Sequence, residues 1–136
     1  MSNLTHHQAL IHVMVTMSAV DRSMGDAELA KMGDAIKTLP VFSGYNTDNL
    51  VEDVAACSII LQDEDGLDQI IQNAIKALPE HLHQTAYALA VDVAAADLHV
   101  EQTELRLLQL LRQQMNIDRL ACAAIEHGAK ARFQVL

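Results

Sequence analysis

The sequence predicts an all-α fold, a single compact bundle of about seven short helices with an internal repeat. Hydrophobic residues make up 51% of the 136 residues, but only 3% are aromatic and tryptophan is absent. A core filled by alanine, leucine, isoleucine, valine and methionine suits helix packing better than a sheet. Five glycines and two prolines supply few of the turns that many short strands need. Apolar residues recur at helical spacing along the chain without a linker, so we expect residues 1–136 to form one domain.

The first four helices follow from apolar residues three and four positions apart. These residues place the helices near 10–17, 29–39, 50–61 and 67–78. Pro40 ends the second helix, because proline cannot continue the hydrogen-bond pattern. Thr47 or Asp48 is predicted to open the third helix as a capping residue. The fourth helix is predicted to stop near Pro79, which suits the first turn of the helix that follows.

The same spacing predicts three more helices, near 86–93, 105–115 and 120–128. Leu105, Leu108, Leu111 and Met115 mark the sixth helix. Asp118 is a good N-cap for the seventh. In that last helix we expect Leu120 and Ala124 to be among the inward residues.

Charge and hydropathy limit the function classes. The formal net charge of −9 argues against a nucleic-acid partner, because phosphate contacts need clustered lysine and arginine. It also argues against docking on anionic lipid. The apolar stretch near the start contains His12 and soon reaches Asp21, so we expect no signal peptide and no direct membrane insertion. Cys57 and Cys122 share no motif, which favours a reducing compartment. The sequence thus predicts a soluble, acidic, cytoplasmic protein.

The internal repeat appears when residues 13–29 are laid over residues 89–105 at one constant offset. Asp21 then matches Asp97, and Glu28 matches Glu104. Each copy consists of a helix, an aspartate at its C-terminal end, a short turn and a glutamate in the first turn of the next helix. The identities are few, but they fall on the acidic positions.

Two explanations of these acidic corners stay open at the sequence level. A first-turn glutamate gains from the helix dipole and can complete a capping box. The predicted N-caps are Gly25 and Glu101, however, and neither residue can form that box. Asp21 and Asp97 would lie near the negative end of a helix, where a carboxylate is unfavourable without a partner. The partner is either the backbone N–H groups of the turn or a cation.

The duplicated corner, in a small acidic all-helical chain, resembles the TerB-like tellurite-resistance family over most of the chain. The resemblance implies a role in stress or tellurite resistance near membrane-associated partners, with acidic clusters that bind divalent metal. The ligands that the resemblance implies are Asp97 with Glu104 and Asp21 with Glu28. From their positions in the sequence, we add Asp92 and Glu101 as candidate supporting residues at the second corner. Arg22 and Leu98 depart from the family, which usually has glycine at these two positions. Arg22 offers the first corner a fixed positive charge, which makes the second corner the stronger candidate.

Three function classes follow from these features. The first is a non-enzymatic stress-response domain with a weak divalent-cation site, for which oxygen ligands favour calcium, magnesium or manganese over zinc. The second is an acidic interaction module for a basic protein partner, such as a loop of a membrane-associated protein, with no metal. An enzyme is the least favoured class, because the sequence offers no nucleophile beside a base.

Overall fold

The computed structural model describes residues 4–19, 26–96 and 102–136, with the side chains of residues 27 and 28 left out. These residues form seven α-helices and no strand, as the sequence predicts. The helices are α1 (His6–Ala19), α2 (Asp26–Thr38), α3 (Leu50–Leu61), α4 (Gly66–Ala77), α5 (His83–Ala96), α6 (Gln102–Gln114) and α7 (Arg119–Arg132). Short 3₁₀ turns occur at Pro40–Phe42, Thr47–Asn49 and Glu80–Leu82. Over these described ranges, no helix is both long and apolar enough to cross a membrane.

Helix α1 is the centre of the bundle. Its residues 9–17 are all buried, including the polar residues His12 and Thr16. A helix that is apolar on nearly every side has to be enclosed by other elements. α1 accordingly packs against α3, α4 and α5. Buried polar side chains usually find hydrogen-bond partners within the protein, and Thr16 does so by donating to the carbonyl oxygen of His12.

The internal repeat is visible in the helix boundaries. Adding 76 to the bounds of α2 (Asp26–Thr38) gives the bounds of α6 (Gln102–Gln114), and the same shift places α1 within one residue of α5. α1 packs against α3, and α5 packs against α7. The chain is therefore built from two three-helix units, with α4 between them in sequence. The shift of 76 residues does not carry α3 onto α7, because the connectors before these helices differ in length. Residues 39–49 join α2 to α3, whereas only residues 115–118 join α6 to α7.

The longer connector, residues 39–49, folds back against the start of α1. Phe42 is buried there, and the ring of His7 stacks on it with centroids 5.8 Å apart. Nε2 of His7 also lies 3.0 Å from the carbonyl oxygen of Val41. These contacts hold Tyr45, whose ring meets that of His7 edge-on, beside helices α1 and α3. This placement brings the Tyr45 hydroxyl to the polar cluster described below.

The helix ends follow local chemistry in most places. Asp118 caps α7 as predicted, since its carboxylate accepts hydrogen bonds from the N–H groups of Leu120 and Ala121 at 3.3 and 3.1 Å. The predicted N-cap of α3 was one or two residues early, because Thr47 and Asp48 lie in a 3₁₀ turn and the α-helix begins at Leu50, after Asn49.

The predicted inward face of α7 was partly wrong. Leu120 is 77% exposed and Ala124 is also exposed, whereas the buried residues of α7 are Cys122 and Ala129. In α6, the buried residues are Glu104, Leu107, Leu108 and Leu111, and Leu105 is 50% exposed. Alanine-rich and leucine-rich helices offer more than one apolar stripe, so local spacing does not decide which stripe meets the core.

Candidate functional site

The predicted acidic corners are only partly covered by the structure. Asp21, Asp97 and Glu101 lie outside the described residues, as does the side chain of Glu28. The helices that flank each corner are described. α1 ends at Ala19 before α2 begins, and α5 ends at Ala96 before α6 begins. Each predicted glutamate therefore lies in the first turn of the helix after its corner, as the sequence indicates.

Glu104 is the described residue of the second corner. It lies in the first turn of α6, and only 6% of its surface is exposed. A buried carboxylate is unfavourable unless hydrogen bonds or an opposite charge compensate for lost hydration. Glu104 does have a polar partner, and the positive end of the helix dipole favours its charge at this position. The side chain of Glu104 thus points into the protein. The cation hypothesis requires this orientation, whereas a glutamate that only caps a helix could remain exposed.

Asp92, a predicted supporting ligand, has a different partner. Its Oδ1 accepts a hydrogen bond from Nη2 of Arg132 at 2.5 Å, which joins α5 to the last turn of α7. Both side chains are substantially exposed. The pair is therefore a surface contact of modest strength, and Asp92 would have to leave Arg132 before it could bind a cation.

The described residues contain no group of three histidine, cysteine, aspartate or glutamate side chains that could hold a metal ion. Four of the six predicted ligands, Asp21, Glu28, Asp97 and Glu101, have side chains outside the described part of the chain.

A buried polar cluster between α1 and α3 was missed by the sequence analysis. Asp53, in the first turn of α3, is 8% exposed. Its Oδ2 accepts a hydrogen bond from the hydroxyl of Tyr45 at 2.5 Å, and its Oδ1 accepts one from Nε2 of Gln8 at 3.2 Å. Burial, followed by the hydrogen bond and charge of Asp53, raises the pKa of Tyr45 above its usual value. The tyrosine therefore stays a hydrogen-bond donor to the carboxylate.

His12 lies against the same cluster. It is 2% exposed, and its Nδ1 has no hydrogen-bond partner among the described residues. Burial lowers the pKa of His12, while the negative charge of Asp53 and a hydrogen bond to the backbone of Asp53 oppose that shift. Burial disfavours the charged imidazolium, so the protein holds this histidine in its neutral form.

The backbone of His12 is an acceptor for two neighbouring side chains. Its carbonyl oxygen accepts hydrogen bonds from Oγ1 of Thr16 at 2.7 Å and from Sγ of Cys57 at 3.5 Å. Burial raises the pKa of Cys57 to about 11, although the hydrogen bond with Thr16 lowers it. Since the thiolate is the reactive form of cysteine, Cys57 is an inert core thiol that links α3 to α1.

A second cluster joins α5, α6 and α7. The hydroxyl of Tyr87, which is fully buried, donates to Oε2 of Glu126 at 2.5 Å. Nη1 of Arg112 lies 3.3 Å from the Tyr87 hydroxyl and 3.4 Å from the same carboxylate oxygen. Burial raises the pKa of Tyr87 to about 12, and the hydrogen bond to Glu126 adds to that increase. In both units, a tyrosine thus donates to a carboxylate on the third helix.

One sequence signal could have indicated the first cluster. Asp53 lies three residues after Leu50 and four before Cys57, so it shares the apolar face predicted for α3. A charged residue on a core face requires a partner. That partner could not be named from the sequence, because Tyr45 lies in a connector whose path depends on packing against α1.

Comparisons of the chain with protein-family models, curated proteins and solved structures find no match.

Proposed function

We propose that this chain is a non-enzymatic stress-response domain of the TerB type, which binds a divalent cation weakly at the corner between α5 and α6. The burial of Glu104 is the observation that carries the proposal. Its carboxylate is buried in the first turn of α6, seven residues after Asp97 in the sequence. Two carboxylates close together repel each other, and a cation between them removes that repulsion.

The repeat supports the same proposal. α2 and α6 match in length and position, so Glu28 and Glu104 occupy equivalent first turns. Asp21 and Asp97 are equivalent by the same offset. A purely local cap would not need the aspartate of the preceding helix end, which lies at the unfavourable end of the helix dipole. The ligands proposed for the second corner are Asp97 and Glu104, with Glu101 in support.

The donor set determines the kind of ion. Carboxylate oxygens are hard ligands, which suit calcium, magnesium or manganese better than zinc. Two or three carboxylates, with water completing the coordination, give an affinity in the weak range of sites that are not fully enclosed. The cation would fix the angle between α5 and α6, and the domain would act in the cytoplasm through that geometry.

Titration calorimetry of metal-free protein with each of the three ions tests the proposal. The wild type should give saturable heat with at least one ion, and Glu104→Gln should weaken the binding at least about tenfold because one ionic ligand is lost. Glu52→Gln is the matched control. Glu52 also lies in a first turn, that of α3, but it is exposed. Absence of heat with every ion, or equal weakening in both variants, would leave only the capping explanation.

The second candidate is an acidic interaction module for a basic, membrane-associated protein partner. It is favoured by the exposed turn of Asp63, Glu64 and Asp65 with nearby Asp68. Nε2 of Gln69 donates to Oδ1 of Asp65 at 2.7 Å and lies 3.4 Å from Oδ2 of Asp63, which fixes two of these carboxylates. Binding by this surface should be insensitive to chelator and lost at high salt, since it depends on exposed charge. Binding by the cation-dependent corner should be lost with chelator.

A further inference from the structure

The last two helices differ in charge from the rest of the chain. Residues 102–136 contain five of the nine lysines and arginines but only three of the eighteen aspartates and glutamates. This segment is therefore net basic within an acidic protein. A region with net positive charge attracts anionic ligands, even when the whole chain is acidic.

An open groove of about 490 Å³ lies where α6 meets α7. The short connection between the helices shapes it. Asn116 adopts a left-handed conformation, with φ of 53°, which asparagine tolerates better than most residues. The N–H of Asn116 donates to the carbonyl of Gln113, and the N–H of Ile117 donates to that of Arg112. This Schellman pattern ends α6 and turns the chain directly into α7.

Two arginines line the groove, and they differ in their partners. Nη1 of Arg112 contacts the buried Tyr87 and the partly exposed Glu126, which also lines the groove. Within the described part of the chain, Nε and Nη2 of Arg112 form no hydrogen bond, and Arg119 has neither a hydrogen bond nor an ion pair. A guanidinium has five donors in a flat fork, so several donors remain for a ligand in the groove.

We propose that this groove binds a small organic carboxylate, held by Arg112 and Arg119. The flat guanidinium fork matches a carboxylate in a bidentate geometry. Ile117 and Ala123 line the same groove and would contact a carbon skeleton. The volume of this open, mostly polar groove is large enough for a small molecule. The groove shares no residue with the corner between α5 and α6, so the two proposals succeed or fail independently.

The test is a titration of the isotope-labelled full chain followed by amide chemical shifts. The probe is succinate, with succinamide as its uncharged analogue and inorganic phosphate as an anion without a carbon skeleton. Succinate should produce saturable shifts at Gln113, Asn116 and Ala123. Succinamide should produce none, and phosphate should bind more weakly.

Two variants make the test specific. Arg119→Gln should lower the affinity for succinate at least about tenfold, because a charge-assisted pair is lost. It should leave the fold intact, since Arg119 is exposed and makes no contact that α7 needs. Arg106→Gln is the control, because Arg106 is exposed on α6 but does not line the groove.

The inference is overturned if succinate causes no saturable shift, or if succinamide or phosphate binds as well as succinate. It is also overturned if Arg106→Gln weakens binding as much as Arg119→Gln. A glutamate-rich peptide that binds more tightly than succinate and shifts residues beyond the groove would identify an acidic protein segment as the ligand instead.

Discussion

Replacing Asp53 with alanine should be one of the most destabilising single changes in this fold. The carboxylate is buried and accepts hydrogen bonds from Tyr45 and Gln8. Alanine removes the acceptor of both bonds and leaves two donors without their partner.

The size of the effect follows from the two bonds. A hydrogen bond to a charged group contributes about 1.5–3 kcal/mol. Tyr45 and Gln8 are only half-buried, so water can replace part of the loss. We therefore expect a loss of about 2–4 kcal/mol in the free energy of unfolding. With about 2.1 cal/mol/K of unfolding entropy per residue, that loss lowers the thermal midpoint by roughly 7–14 °C for a chain of this length.

The assay is urea and thermal unfolding followed by circular dichroism, in a double-mutant cycle with Tyr45→Phe. The coupling energy between the two positions should be about 1.5–3 kcal/mol, since the phenol and the carboxylate share a short bond. Glu52→Ala is the matched control, because Glu52 also lies in the first turn of α3 but is exposed. It should change stability by no more than about 0.5–1 kcal/mol.

Equal stability of the Asp53 and Glu52 variants would refute this reasoning. So would a coupling energy near zero between Tyr45 and Asp53. Either result would mean that the cluster is hydrated in solution and contributes nothing to the contact between α1 and α3.

Three further predictions concern single positions. Gly66→Ala should destabilise the fold by about 3 kcal/mol or more, because a Cβ at Gly66 would lie 2.1 Å from the carbonyl oxygen of Ile60. Gly33→Ala, in the middle of α2, should stabilise the fold by about 0.5–1 kcal/mol, because the added Cβ would make only an ordinary contact with Leu50 at 3.9 Å. Urea unfolding checks both, and similar effects would contradict the packing at Gly66. Asp118→Ala should cost about 0.5–2 kcal/mol by removing the cap of α7, and unchanged stability in the same assay would show that the cap is not formed. For His12, the folded pKa is lowered, so the unfolded chain takes up the proton first and stability falls as the pH drops below about 6.5. His12→Gln should reduce the slope of the unfolding free energy against pH by up to about 1.4 kcal/mol per pH unit. Denaturant unfolding at a series of pH values from neutral to acidic measures this slope. An unchanged slope would show that His12 does not cause the loss of stability at low pH.

The helix count and many helix ends could be predicted from sequence because they depend on local chemistry. Asp118 caps α7 through N–H groups two and three residues away, and Pro40 and Pro79 lie just after helices that they cannot continue. The repeat was also predictable, because an aspartate and a glutamate recur at one offset. The capping residues and prolines act over only a few positions, and the repeat is recognised from identical residues in its two copies.

The polar clusters could not be predicted, because their members meet only through packing. Tyr87 and Glu126 are 39 positions apart and come from different helices. Leu120 was predicted to face the core, yet it is exposed. α7 packs against α5, and this packing determines which face of α7 is buried. Glu104 was expected to point into the corner, and it is buried, but the position of Asp97 stays a prediction.

The thermal midpoint of metal-free wild-type protein, measured with and without excess calcium, magnesium or manganese, tests the proposed function most directly. A cation bound only by the folded state stabilises it by about 2.7 kcal/mol at a hundred times its Kd, which corresponds to roughly 9 °C here. We predict a rise of this size with at least one ion, and a much smaller rise for Asp97→Asn. A wild-type midpoint that does not move with any of the three ions would contradict the proposal.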